Sequence, residues 1–180
     1  MLAVAAMLAL GFWQLQRRAG KEAMIARFEA ARSLSAAVEW PRSDAAIDAA
    51  LFRYGQVRCA RVLSQRATSG RNAAGEPGWA QVAHCAIEGG GEADIVLGWS
   101  LAPTPAQWSG GAVAGVVAPG GQHEPRLVAF PPLAGLQPNA MPDPANLPNN
   151  HLAYAVQWFF FAATAAVIYV LALRKWRDRR

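Results

Sequence analysis

Residues 152 to 173, LAYAVQWFFFAATAAVIYVLAL, form an apolar run of 22 residues without Asp, Glu, Lys or Arg. As an α-helix, at about 1.5 Å per residue, this run is about 33 Å long, which matches the hydrocarbon core of a bilayer. A basic tail follows it, made of Arg174, Lys175, Arg177, Arg179 and Arg180. Basic residues beside a span stay in the cytoplasm. We therefore expect a transmembrane helix over residues 151–173 and a cytoplasmic tail over residues 174–180.

A second apolar stretch opens the chain. It reads MLAVAAMLALGFWQLQ, covers residues 1–16 and ends at Arg17 and Arg18. It is slightly shorter than the roughly 17 residues that a span needs, so we expect the natural chain to begin a few residues earlier. A cleaved signal peptide is the alternative, but such a peptide has a basic leader, and no basic residue precedes this stretch. We predict a retained transmembrane helix, so the region between the two spans lies outside the cytoplasm.

The positive charge of the chain is concentrated at its C-terminus. Of 17 Lys and Arg and 12 Asp and Glu, five basic residues and one acidic residue follow residue 173, which leaves twelve basic and eleven acidic residues in the body. A nucleic-acid-binding domain needs a basic face, so this balance argues against such a partner. The extramembrane region has enough residues for one domain with its own core.

The region between the spans, residues 17–130, changes from helical to strand patterning. Apolar residues three and four apart predict that the first helix continues to about residue 34, and Ser43 or Asp44 is a good N-cap for a short second helix. β-rich runs bounded by Gly, Pro and Asn then begin at Tyr54, Trp79, Ala93, Gly111 and Arg126. We predict one α+β domain with an antiparallel β-sheet and short helices. Residues 131–150, which are rich in proline, are expected to form a linker.

The two cysteines lie in neighbouring predicted strands. If the hairpin loop is centred on Asn72, antiparallel pairing places Cys59 directly opposite Cys85, within reach of a disulfide. Such a bond persists in an exported domain. Two buried free thiols are an alternative. A copper or zinc site made of Cys59, Cys85 and His84 is disfavoured, because neighbouring residues on a strand point to opposite faces.

The segment NNHLAYAVQWFFFA, residues 149 to 162, places a histidine at the start of the second span. Asn149 or Asn150 is expected to be the N-cap, with His151 in the first helical turn. Neutral imidazole ligates metals, including the iron of a haem. Tyr154 and Trp158 follow on the same helical face, as an aromatic strip that suits a flat apolar ring system.

The outer end of the first span is expected at the same membrane depth as His151. Trp13, Gln14, Arg17 and Arg18 lie there, and arginines at this level suit carboxylates such as haem propionates. The alternative is that the Trp and Arg residues are ordinary headgroup anchors and that His151 is an interface histidine. The spacing of these residues alone does not distinguish a haem-binding site from ordinary membrane anchoring.

Two segments resemble a known family. FWQLQRRAGKEAMI, residues 12 to 25, and NNHLAYAVQWFFFA are similar to the two signature segments of the Surfeit locus protein family, assembly factors of cytochrome c oxidase. The stretch GEPGWAQVAHCAIEGGGEADIVLGWS, residues 75 to 100, is similar to the central strands of that family, which usually end in Arg-Gly-Trp. In this chain Leu97 stands where the arginine is usual.

The resemblance implies a bacterial inner-membrane protein with two spans and a periplasmic domain, a mitochondrial inner-membrane location being the less favoured alternative. It implies an assembly factor, not an enzyme, that binds haem a transiently and aids its insertion into oxidase subunit I. In that interpretation His151 is the axial ligand of the haem iron, Trp13, Tyr154 and Trp158 lie along the ring, and Arg17 and Arg18 face the propionates. The implied partners are subunit I, other oxidase assembly factors and membrane lipid.

Two other functions were weighed against this one. The first is a structural chaperone that stabilises oxidase assembly intermediates without binding haem. The second is a membrane-anchored hydrolase, which has little support because Ser100 is not set in a Gly-x-Ser-x-Gly turn.

Overall fold

The chain divides into two compact units. In the computed structural model, which describes residues 2–34, 36–120 and 124–179, one unit contains the chain up to Arg27 and from Ala145 onwards, and the other runs from Phe28 to Pro144. The elements, in chain order, are α1 (Leu2–Arg32), β1 (Val38–Glu39), α2 (Asp44–Ala50), β2 (Tyr54–Arg71), β3 (Pro77–Ile87), β4 (Glu92–Ser100), β5 (Gly111–Pro119), β6 (Pro125–Ala129), a short 3-10 helix (Pro144–Asn146) and α3 (His151–Arg177).

The helices follow the sequence patterns closely. The first helix runs without a break through Arg17 and Arg18 to Arg32, which confirms that it continues beyond the apolar stretch. The second helix is capped by Ser43, whose side-chain oxygen accepts a hydrogen bond from the backbone N–H of Ala46 at 3.3 Å. Such a bond satisfies one of the free N–H groups at the helix start.

The strands of the second unit close into a ring. The order around it is β2, β3, β4, β6, β5 and back to β2, and β1 lies beside β2 as a sixth strand. Closure is possible because β2 is long: its first part, from Tyr54, pairs with β5, and its later part, to Arg71, pairs with β3. A five-stranded Greek-key barrel is also the architecture of the OB-fold, which by itself assigns no function.

The prediction of an antiparallel sheet is wrong for two strand pairs. The sheet is mixed, because β1 runs parallel to β2 and β4 runs parallel to β6. The second pair follows from closure, since the directions of an odd number of strands cannot alternate all the way around a ring. Local patterning reveals single strands and not their closure, so the parallel pair was not predictable from it.

The predicted hairpin register is also wrong, although the two cysteines do form a disulfide. The turn is centred near Ala74, with Arg71 opposite Pro77, and two β-bulges in β2 shift the pairing further along the hairpin. Cys59 therefore lies opposite Ile87, and Cys85 opposite Val62. Both cysteines point into the apolar core of the ring, and their disulfide joins diagonal neighbours.

The proline-rich segment after β6 is packed against the ring as far as Pro144. The backbone N–H of Leu133 donates to the carbonyl of Leu97 at 2.8 Å, and Gln137 exchanges two backbone hydrogen bonds with Trp99 at 2.8 and 3.0 Å. Further along, the N–H of Ala140 donates to the carbonyl of Arg71 at 2.9 Å. The segment that was expected to be a linker thus belongs to the sheet domain over most of its length.

Candidate functional site

The helical unit is built on close contact between α1 and α3. Gly11 of α1 is buried, and a Cβ atom at this position would lie 2.5 Å from the ring of Phe159 on α3. The neighbouring Phe12 meets the same ring edge to face, with centroids 5.3 Å apart. On α3, Ala155 and Ala162 are 0% and 2% exposed. Small residues at such a seam let two helices approach closely, as in membrane helix pairs.

Next to this seam, His151 contacts Gln14. The Nδ1 atom of His151 lies 2.7 Å from the Oε1 atom of Gln14, which joins the first turn of α3 to the middle of α1. The Oε1 atom is an acceptor only, so in this arrangement the Nδ1 atom carries the proton and donates. In the neutral imidazole Nε2 then keeps its lone pair, and it has no hydrogen-bond partner among the residues that the structure describes.

Two asparagines precede this histidine, and their roles differ from the predicted one. Asn150 is the N-cap residue, but its side chain makes no capping hydrogen bond. The Oδ1 atom of Asn149 is buried without a hydrogen-bond partner in the described parts of the chain. A buried acceptor without a donor is costly, and it is a place where a bound group could donate.

The model of the SURF1 family matches residues 1–163, which takes in both Gln14 and His151. The chain belongs to the SURF1 family. That family is associated with cytochrome c oxidase assembly and with membranes. A comparison with curated proteins found no match.

In this SURF1-family chain, one stretch is long and apolar enough to cross a membrane. Among the described residues it lies within Pro144–Arg177 and contains α3. Most of α3 is exposed, as expected for a helix whose apolar side chains face lipid. Over its described residues, α1 has no stretch that is both long and apolar enough to cross a membrane. The second transmembrane helix is thus supported, and the first remains a prediction.

The basic and aromatic residues predicted for the site in α1 make local contacts. The guanidinium of Arg17 lies 5.8 Å from the centre of the Trp13 ring, a cation–π contact. The Nε atom of Arg18 pairs with the Oε1 atom of Glu22 at 2.7 Å, one helical turn further on. Neither arginine is thereby withdrawn into the protein interior, because both contacts lie on exposed parts of the helix.

On α3, Tyr154 and Trp158 follow His151 at spacings of three and seven residues, which place them on the same side of the helix. Tyr154 is 51% exposed, and Trp158 packs edge to face on Phe161 with centroids 6.2 Å apart. Neither residue has a hydrogen bond to His151 within the described residues. The predicted site residues therefore lie on both helices, α1 and α3. Near His151 the two helices are joined by the contact of His151 with Gln14.

Gln14 is the site residue that periodicity missed. Its position at the membrane depth of His151 was expected, but a contact with His151 was not, because a glutamine near a membrane surface has no chemistry that singles it out. A signal was nevertheless present. Gln14 follows Gly11 by three residues, so it lies on the face of α1 that carries the helix seam.

The interpretation of Cys59, Cys85 and His84 as a metal site is wrong. The cysteines are joined in a disulfide, and His84 lies on the other face of β3. No group of three or more potential metal ligands is found in residues 2–34, 36–120 and 124–179. The alternation of strand residues, which already disfavoured the site, accounts for this result.

His84 instead belongs to a polar cluster on the outside of the ring. Its Nδ1 atom lies 2.9 Å from Oδ1 of Asp94 and its Nε2 atom 2.9 Å from Oε2 of Glu92. Hydrogen bonding to Asp94 raises the pKa of His84, with burial acting in the opposite direction and Glu92 adding to the rise. Burial acts to raise the pKa of Asp94, but hydrogen bonds from Arg66 and His84 outweigh it, so this pKa is lowered. The cluster connects β2, β3 and β4.

Leu97, where the SURF1 family usually has arginine, is buried in the core. It is 1% exposed and packs within the main apolar cluster of the ring. It is the extra residue of a β-bulge, because Gln81 and Val82 of β3 pair with Gly98 and Val96 of β4. A bulge re-aims side chains locally, so leucine here fills the interior and carries no charge to a surface.

Proposed function

We propose that this protein is a cytochrome c oxidase assembly factor that holds haem a transiently at the paired helices and aids its insertion into subunit I. Membership of the family supports the association with oxidase assembly. The single observation that carries the haem assignment is the contact of His151 Nδ1 with Gln14 Oε1, because it leaves Nε2 as a free, oriented nitrogen ligand.

The residues present fit a haem. A neutral imidazole nitrogen is the donor that haem iron takes from histidine. The buried Oδ1 atom of Asn149, two residues before His151, has no partner among the described residues and can accept a hydrogen bond from a polar group on the ring. Haem a, when bound, would supply an iron that takes a histidine nitrogen and propionate carboxylates that pair with basic side chains. Arg17 and Arg18 are the residues that would pair with those carboxylates, and Trp13, Tyr154 and Trp158 would line the ring.

Weak binding suits a carrier better than tight binding. A single histidine beside exposed aromatic residues holds a cargo less firmly than two axial ligands in a closed core. The roles assigned to this chain are therefore binding, orientation and release, and we propose that the protein is not a catalyst. The partners in this proposal are subunit I and other oxidase assembly factors.

The proposed location is a bacterial inner membrane, with α1 and α3 both crossing it and the sheet domain in the periplasm. The basic residues at the end of α3 support a cytoplasmic C-terminus. The disulfide in the sheet domain supports an oxidising compartment. A cytoplasmic fluorescent reporter and a periplasmic phosphatase, each fused after residue 179, would test this orientation. Phosphatase activity with a dark reporter would contradict it.

The haem assignment is tested by spectroscopy on the purified full chain. The protein is prepared in detergent from cells that make haem a, and its visible spectrum is compared with those of His151→Ala and of the matched control His84→Ala, whose histidine lies on the sheet domain. We expect the haem band in the wild type and in the control, and its loss in His151→Ala. A wild type without haem, or an unchanged His151→Ala spectrum, contradicts the assignment.

A structural chaperone is the second candidate function. The exposed apolar side chains of the sheet domain, such as Leu101 at 77% and Phe130 at 50%, favour contacts with another protein. In that case subunit I should co-purify equally well with the wild type and with His151→Ala. Loss of subunit I in His151→Ala would instead link partner binding to haem.

A further inference from the structure

The contact of Gln14 with His151 does more than join two helices, because it also acts on the tautomer of the histidine. A histidine ring has two nitrogens, and free in water it exchanges between two neutral tautomers. An amide oxygen 2.7 Å from Nδ1 stabilises the tautomer with its proton on Nδ1 and disfavours the other. One contact thereby fixes which nitrogen donates to the protein and which is left to bind something else.

The identity of the acceptor matters as much as its position. A carboxylate at this place would accept a charge-assisted hydrogen bond and would make the imidazole a stronger electron donor. An amide oxygen orients the ring without that added charge. Among the described residues no carboxylate contacts His151, whereas His84 on the sheet domain is held by two carboxylates.

We propose that Gln14 is a positioning residue that fixes His151 in the Nδ1–H tautomer, presents Nε2 as the single ligating atom and keeps the ligand weak enough for release. Only the claim that the ligand is weak enough for release rests on the proposed haem function. The tautomer is a property of the protein alone, so it can be measured without haem.

A purely structural interpretation is the competing explanation. Hydrogen bonds between membrane helices are individually weak, so the contact would then do no more than add slightly to helix pairing. Two substitutions separate the interpretations. Gln14→Leu has a similar size and removes the acceptor, whereas Gln14→Glu keeps an acceptor and adds charge.

The first measurement is nitrogen NMR of the haem-free full chain labelled with ¹⁵N-histidine in detergent. The chain has only three histidines, so the signals lost in His84→Gln and in His123→Gln leave that of His151 assigned. We expect His151 to show a protonated Nδ1 and an unprotonated Nε2, and we expect Gln14→Leu to shift the population towards the Nε2–H tautomer. An Nε2–H tautomer in the wild type, or an unchanged tautomer in Gln14→Leu, overturns the proposal.

The second measurement is made on the haem a that co-purifies with the protein. Loss of a residue that orients a ligating histidine typically weakens metal binding by about 10- to 100-fold, and we expect this for Gln14→Leu. For Gln14→Glu we expect tighter retention and a more negative reduction potential than in the wild type. Equal potentials in the wild type and Gln14→Glu overturn the claim about ligand strength.

The outcomes distinguish this inference from the proposed function. If the wild type retains no haem, the proposed function fails, and the NMR result alone then decides whether Gln14 sets the tautomer. If haem is retained and lost in His151→Ala but Gln14→Leu behaves as the wild type in both measurements, the function stands and the inference fails. Formation of the Cys59–Cys85 disulfide in each variant reports that the sheet domain has folded.

Discussion

The Cα atoms of Cys59 and Cys85 lie 5.5 Å apart although neither residue is the register partner of the other. Both side chains point into the ring, and the bulges in β2 bring these diagonal positions together. The disulfide lies inside the apolar core and joins two residues with a sequence separation of 26. The bond therefore joins the first two strands of the ring at its centre.

Loss of this disulfide should destabilise the sheet domain. For a loop of this length the chain-entropy model gives about 3 kcal/mol. We expect the double variant Cys59→Ala/Cys85→Ala to unfold at lower urea than the wild type and to be insensitive to dithiothreitol. Thiol titration of the unfolded wild type should find free thiols only after reduction. Free thiols without reductant would contradict the prediction.

Substitution of Gly11 should disturb the helix pair. A Cβ atom there meets the ring of Phe159, so Gly11→Ala forces the ring to move, at a cost of about 1 to 3 kcal/mol. Gly20→Ala is the matched control, because nothing lies within 4 Å of a Cβ atom at that helical position. Thermal unfolding followed by circular dichroism in detergent should show a lower midpoint for Gly11→Ala and an equal or higher midpoint for the control. Equal effects would contradict close packing at Gly11.

Replacement of Leu97 by arginine, the residue usual in the family, should destabilise the sheet domain. Leu97 is buried in the ring, so Leu97→Arg would place an unpaired charge in the core, which costs about 3 to 5 kcal/mol. Leu101→Arg, four residues further on at a side chain that is 77% exposed, should be nearly neutral. Urea unfolding measures both. A stable Leu97→Arg would show that this part of the ring can open to admit the guanidinium.

The polar cluster around His84 should make the stability of the sheet domain depend on pH. The pKa of His84 is raised above its ordinary value of 6.5, so its contribution is complete below that value and is lost as the pH rises through the raised pKa. The pKa of Asp94 is lowered from 3.8, so its contribution is present above 3.8 and is lost as the pH falls through the lowered pKa.

Urea midpoints of the wild type and His84→Gln, measured from about pH 5 to about pH 9, isolate the histidine part of this dependence. We expect the wild type to lose stability towards the alkaline end by more than His84→Gln does. Parallel curves for the two proteins would show that His84 contributes nothing through its charge. Glu92→Gln should reduce the pH dependence of stability less than His84→Gln does, since Asp94 still contacts the imidazole of His84.

Local patterns predicted the elements of this fold, and long-range geometry was beyond them. The cap at Ser43, the long first helix and the start of β2 at Tyr54 depend on neighbouring residues. The pairing of β2 with β5 joins Tyr54 to Val116 and depends on how the whole sheet curves. Bulges add single residues whose effect on register has no strong sequence signal, which is why the hairpin was misplaced.

The candidate site shows the same division. His151 was predicted because imidazole is rare and functional at the mouth of a span, and Trp13 and Arg17 because such residues mark membrane interfaces. Gln14 was expected at the same membrane depth, but its contact with His151 was not, because the two residues are 137 positions apart in the sequence. The depth of Leu97 in the core likewise required the register of β4 against β3.

The ring also sets an order of events during synthesis. Because β2 is completed by β5, whose residues end at Pro119, a ribosome that has made only the first three long strands has produced an open sheet. The last helix is synthesised after that. The contact between Gln14 and His151 can therefore form only when nearly the whole chain has been made. A truncated product that lacks the last helix therefore lacks the contact between Gln14 and His151.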